Sequence, residues 1–172
     1  MHKVPFVSQR KYALPGLGCG VAATMMLLKF HSRRSHVPSY RDLRKALRID
    51  VPPAEKWPRC TGETGLGTYP KDITAYLGQH GVPHRATYTK SPNQMKVLTR
   101  RVRTAPVMVG MGCNESRWGR AGHWIVLIDV AGDHMTYLDP QYLPTHRRPS
   151  RMSLADFRRQ WDGSSVQIVG FH

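Results

Sequence analysis

The chain has 172 residues, of which 40% are hydrophobic and 22% charged, the composition of a globular protein long enough to bury a core unaided. Its three cysteines, Cys19, Cys60 and Cys113, are odd in number and widely spaced, which argues against a disulfide framework and a zinc site, so no metal or other cofactor is expected and a reduced compartment fits. The net charge is +15, from 26 Lys and Arg against 11 Asp and Glu, with a pI near 10.4.

Such a charge draws anionic partners. The basic residues nevertheless recur along the chain, in Arg33-Arg34, Arg100-Arg101 with Arg103, Arg147-Arg148 and Arg158-Arg159, rather than forming one long run. No nucleic-acid-binding motif accompanies them. A basic solvated surface is the expectation; nucleic acid is not expected, and an acidic partner or inhibitor protein stays open. The longest apolar runs, Val21–Leu28 and Trp124–Val130, are too short to span a bilayer. Met1–Phe6 lacks the apolar stretch and cleavage site of a Sec signal. A soluble protein follows, cytoplasmic or secreted by another route.

In chain order, Val4–Gln9 reads as a short extended entry and Arg10–Gly18 as a loop. A helix then begins at Cys19 and ends near Phe30 or His31. Ser39 caps a second helix, Tyr40–Leu47, with Asp42 in its first turn. Residues Ile49–Gly67, rich in Pro and Gly, read as a long irregular loop. A third helix starts at Tyr69-Pro70 and is stopped by Gly81. Ser91-Pro92 reads as a cap-plus-first-residue pair opening a fourth helix that runs to about Val102. The second half turns to strands: Pro106–Gly110, Trp124–Val130, Met135–Leu138 and Val166–Val169, with Ser153 capping a last helix, Leu154–Trp161. Ala131–Asp133 is short enough to make Trp124–Val130 and Met135–Leu138 an antiparallel hairpin. Helices first and an antiparallel sheet second give an α+β fold, one domain over residues 1–172.

Chemistry concentrates first at Gly18-Cys19-Gly20. A thiol at a helix N-terminus faces unsatisfied N–H groups and the positive end of the helix dipole, both of which favour thiolate. A small buried cysteine starting a helix is the plain alternative. A cysteine nucleophile needs a base, and of nine histidines His123 stands at the start of the strongest strand, whereas the others fall in loops, helix ends or turns. The hairpin returns Asp139-Pro140 to the same end of the sheet. Asp139 is therefore placed to accept His123 Nδ1–H, although Asp-Pro is also a common turn signal. Asp129, inside the strand, and Asp133, at the far turn, are poorer partners. Gln9, ten residues before Cys19, is the candidate side-chain donor to an oxyanion, with the Cys19 N–H as the second donor. Cys60 and Cys113 have no assigned role. Trp118–Ala121 and the glycines around Cys113 suggest a mobile loop leading into His123, with an ordinary surface loop as the alternative.

Taken together, Val4–Gln9, Gly18–Leu27, Gly122–Ile128 and Tyr137–Pro140 resemble the C39-like clan of papain-fold cysteine peptidases, with Met152–Phe157, Trp161–Gly163 and Gly65–Gly81 in supporting positions. That resemblance implies a papain-like fold in which a helix bearing Cys19 packs on an antiparallel sheet. It implies catalytic roles for Cys19, His123, Asp139 and Gln9: nucleophile, general base and acid, orienting carboxylate and oxyanion donor. The best-known members cut leader peptides after a double glycine and are fused to ABC exporters. No transmembrane or ATPase region is recognisable here, and Gly18 replaces the acidic or polar residue usual before the cysteine, so that substrate is not carried over. The expectation is a thiol hydrolase cleaving peptide or isopeptide bonds in a protein or peptide substrate, in the manner of a bacterial effector or toxin. Deamidation or acyl transfer through the same residues, and a basic binding module without activity, are the alternatives.

Overall fold

The strand run that dominates the second half of the sequence is buried on both faces. In the computed structural model, which describes residues 1–11, 18–32, 37–49, 68–88, 90–112, 122–143, 145 and 148–169, every residue from His123 to Ile128 is buried. Continuous rather than alternating apolar character is what a strand needs when helices cover both sides of its sheet. Six strands, β1 (His84–Tyr88), β2 (Val107–Met111), β3 (His123–Ala131), β4 (His134–Leu138), β5 (Ser150–Ser153) and β6 (Trp161–Ile168), form one sheet in the order β1-β6-β2-β3-β4-β5. Every pairing is antiparallel.

Strand alternation divides the core in two. Met108, Trp124, Val126, Ile128, Val166 and Ile168 join the cluster that holds α1 (Cys19–His31), α2 (Tyr40–Ala46) and α3 (Pro70–Gln79). Val107, Val109, Ile125, Leu127 and Tyr137 face the other way, onto α4 (Pro92–Thr104) and α5 (Leu154–Gln160). α1 is apolar all round, and its residues from Gly20 to Leu28 are buried without a break, as a central helix requires.

The α+β layout and the α1-on-sheet packing agree with the sequence reading. Ser39 and Ser153 cap as expected, their Oγ atoms accepting from Asp42 N–H at 3.1 Å and Asp156 N–H at 3.0 Å. Ser91 sits at the N-cap of α4 but makes no side-chain cap bond. Trp161, expected to end the last helix, instead starts β6. It pairs with Met111, its indole N–H donates to Ser164 O at 2.8 Å, and its ring stacks on Phe157 at 5.8 Å. Those contacts end α5 at Gln160 and extend the closing strand well upstream of Val166. The strands β1 and β5 were not foreseen; β1 interrupts the helical first half because His84–Tyr88 pairs with β6. Most of the expected Ile49–Gly67 loop lies outside the described residues.

Candidate active site

Cys19 is the first residue of α1, so its own N–H belongs to the turn that has no intrahelical acceptor. Space, not only flexibility, selects the glycines beside it. A Cβ on Gly18 would lie 1.9 Å from Tyr40 Oη and 3.4 Å from Gln9 Cβ. A Cβ on Gly20 would lie 2.3 Å from Thr68 Cβ. Tyr40 and Thr68 thus press on the cysteine's two neighbours from opposite sides. Thr68 is itself tied to β3, its carbonyl accepting the Trp124 indole N–H at 2.9 Å.

Gln9 lies in a 3₁₀ turn, Gln9–Lys11, and is buried. Its backbone N–H donates to Pro140 O at 2.8 Å, and Ser8 Oγ donates to Tyr142 O at 2.5 Å. The N-terminal arm is therefore stitched to the segment that follows β4. Those bonds hold Gln9 next to Gly18 at one end and next to the Asp139-Pro140 corner at the other.

His123 opens β3 immediately after Gly122, whose φ of +63° is a conformation that L side chains resist. The imidazole is 8% exposed and Asp139 is 2% exposed. His123 Nε2–H donates to Asp139 Oδ1 at 2.7 Å, and the Gln141 N–H donates to the same oxygen at 2.9 Å. The sequence reading gave this bond to Nδ1. In the structure the ring is turned the other way: Nε2 takes the carboxylate and Nδ1 is left for Cys19, with which the imidazole shares a hydrogen bond.

The electrostatics of the pair follow from these neighbours. Burial alone raises the Cys19 pKa, but the hydrogen bond and charge of His123, then the backbone N–H groups of Trp124 and Gly20, outweigh it and bring the thiol below its usual range. Burial works against a charged His123 as well. The bonds to Asp139 and Cys19, with their charges, override it and raise the imidazole to about 9. Both directions favour the same state at neutral pH, a thiolate beside an imidazolium.

The sequence candidates Cys19, His123, Asp139 and Gln9 thus lie at one end of the sheet. The poorer acids are elsewhere: Asp129 faces the N-terminal ammonium at 3.6 Å, and Asp133 faces His134 at 2.5 Å. His80 and His84 bond to nearby carbonyls, and His2 to Val102 O, none of them at this site. Tyr40, Thr68 and the Trp124 N–H were missed, since nothing in their local sequence shows that tertiary packing brings them to the cysteine. Cys60, Cys113 and the segment 113–121 lie outside the described residues. Among the described residues no group of three or more His, Cys, Asp or Glu side chains is arranged to hold a metal ion, and no helix is long and apolar enough to cross a membrane.

A cysteine opening a buried helix, facing a histidine at the start of an antiparallel strand, defines a papain-like cysteine peptidase fold. The chain belongs to the Peptidase_C39-like family, whose model matches residues 1–169. Solved structures give the same fold at low identity. A protein from Bacillus anthracis described as a C39-like peptidase is 17% identical, with 99% of this chain and 96% of that one covered, at a TM-score of 0.70. The double glycine motif protease of an AMS/PCAT transporter, solved in complex with its leader peptide, is 16% identical over 96% and 91% of the two chains, at a TM-score of 0.62. The peptidase domain of Streptococcus ComA, a bi-functional ABC transporter of a quorum-sensing pathway, is 18% identical over 96% of each chain, at 0.60. No curated protein matches the sequence.

Proposed function

We propose that this C39-like cysteine peptidase forms one catalytic domain over residues 1–172 and cleaves a peptide or isopeptide bond through a thioester on Cys19. The observation that carries the reading is the line of groups from Cys19 through His123 to Asp139, with a thiol held low and an imidazole held high. The Cys19 thiolate attacks the carbonyl carbon, a C–S bond forms, and the electron pair moves onto oxygen. The Gln9 carboxamide N–H₂ and the Cys19 N–H stabilise that oxyanion. Collapse breaks the C–N bond, and the leaving amine takes the proton from His123. His123 then removes a proton from water, which attacks the thioester; the acid leaves and the thiolate returns. Asp139 holds the ring in the tautomer that keeps Nδ1 toward sulfur.

A peptide is the substrate class supported by the leader peptide bound to the double glycine motif protease. The experiment is incubation of the protein, and of its Cys19→Ala variant, with a peptide containing a Gly-Gly pair, an isopeptide-linked peptide and candidate protein targets, read by mass spectrometry. Cys19-dependent backbone or isopeptide cleavage supports the reading. A gain of about 1 Da or an amine adduct instead assigns the thioester to deamidation or acyl transfer. Identical products with Cys19→Ala overturn it.

A further inference from the structure

Part of the charge excess that the site does not use lies on the opposite face of the sheet. Between α4 and α5 lies a cavity of about 550 Å³ whose rim carries Lys96, Arg100, Arg103 and Arg158. Lys96, Arg100 and Arg103 follow the spacing i, i+4, i+7, which puts them in one stripe along α4, and Arg158 faces them from α5. All four are exposed, and among the described residues none makes an ion pair or hydrogen bond. Their basic neighbours are accounted for differently: Arg159 pairs with Asp156, and Arg101 is partly buried beside Arg85. Asp156, the acid nearest the rim in sequence, is already held by Ser153 and Arg159. Like charges at i, i+4 destabilise a helix, so the stripe works against α4 unless something anionic meets it.

The floor of the cavity is apolar. Met95 and Leu154 are half-buried and packed against the core cluster of this sheet face. A phosphate polymer has no use for such a floor. An amphipathic helix does, with its apolar side seated between α4 and α5 and its carboxylates on the rim.

We infer that the α4–α5 groove is a docking site for an acidic amphipathic helix of a partner protein. The site is separate from Cys19, which packs on the other face of the sheet, and the inference does not depend on the proposed reaction.

The test uses the full chain and a fluorescein-labelled 15-residue peptide, Leu along one face and Glu at flanking i, i+4, i+7 positions, followed by fluorescence anisotropy. Binding is expected at low salt and should weaken as salt screens the exposed charges. A Gln-for-Glu peptide, or an Arg100→Gln/Arg158→Gln protein, should bind about tenfold more weakly or worse, since several exposed charge pairs are lost together. Leu154→Asn should also weaken binding, whereas Arg100→Lys/Arg158→Lys should retain most of it. Cys19 alkylation should be unchanged in all of these variants, which also reports that they fold. No binding at low salt, or equal binding by the Gln variant, overturns the inference. So does competition by inorganic polyphosphate or duplex DNA together with indifference to Leu154→Asn, which would make the groove a general polyanion surface.

Discussion

The two faces of the sheet use opposite kinds of helix. α1 is buried from Gly20 to Leu28, and the polar groups at its start meet close neighbours: the Gly18 carbonyl beside Tyr40, and the Cys19 sulfur beside His123 and two backbone N–H groups. α4 is amphipathic, with Leu98 and Val102 turned into the core and an arginine-rich stripe left in solvent. On the first face, burial sharpens electrostatics, because a low-dielectric surround makes each nearby charge count. On the second, water and salt weaken each charge, and only their number matters. The molecule therefore places its reactive pair where it is buried, and the α4 stripe lies on the face away from it.

That contrast predicts unequal costs of substitution. The largest effect belongs to the buried pair. Cys19→Ala should reduce peptidase turnover to background, a loss of about 10³-fold or more, with far-UV circular dichroism unchanged. Next comes Asp139→Asn, for which a loss of about 10²–10⁴-fold in kcat/KM is expected because the ring loses the acceptor that fixes its tautomer. The pH profile supplies the sign. Activity needs Cys19 ionised, so it rises with pH through the lowered thiol pKa, and needs His123 protonated, so it falls as pH passes about 9. Because Asp139 supplies the first of the interactions that raise His123, Asp139→Asn should move the basic limb to lower pH. A basic limb that stays put would remove Asp139 from this role.

A smaller effect is expected at Gly18. A Cβ there overlaps the Tyr40 hydroxyl, so Gly18→Ala should cost about 1–3 kcal/mol in denaturant unfolding. Tyr40→Phe in the same background should recover part of it, since the hydroxyl is the nearest atom; no recovery would show that the strain lies elsewhere. The smallest effect is on the solvated face. Arg100→Gln should leave stability within about 0.5 kcal/mol, and the relief of repulsion from Lys96 makes a slight gain the expected direction. A large loss there would mean that the stripe is structural.

The same contrast explains how much was legible in the sequence. α1 and β3 announce themselves because long apolar runs with clear stops have few alternatives, and β4 follows from the short turn after β3. The hairpin between β3 and β4 then places Asp139 near His123 by pairing alone. β1 and β5 are short and polar, His84–Tyr88 and Ser150–Ser153, and become strands only because β6 and β4 offer them an edge. The ring nitrogen that meets Asp139 was equally hidden, since spacing fixes which residues meet but not how the imidazole turns. Tyr40 and Thr68 reach the cysteine through tertiary packing that local pattern does not encode. The arginine clusters were visible as dispersed pairs; only the pairing of α4 with α5 gathers four of the cations around one groove.

Catalysis here depends on the state of one sulfur. Its most direct measurement is the rate of Cys19 alkylation by iodoacetamide against pH, in a Cys60→Ser/Cys113→Ser background so that a single thiol reports. The prediction is a fast reaction with an apparent pKa below that of a free thiol, moving upward in His123→Ala. A slow reaction that titrates like free cysteine, unchanged by His123→Ala, would contradict it.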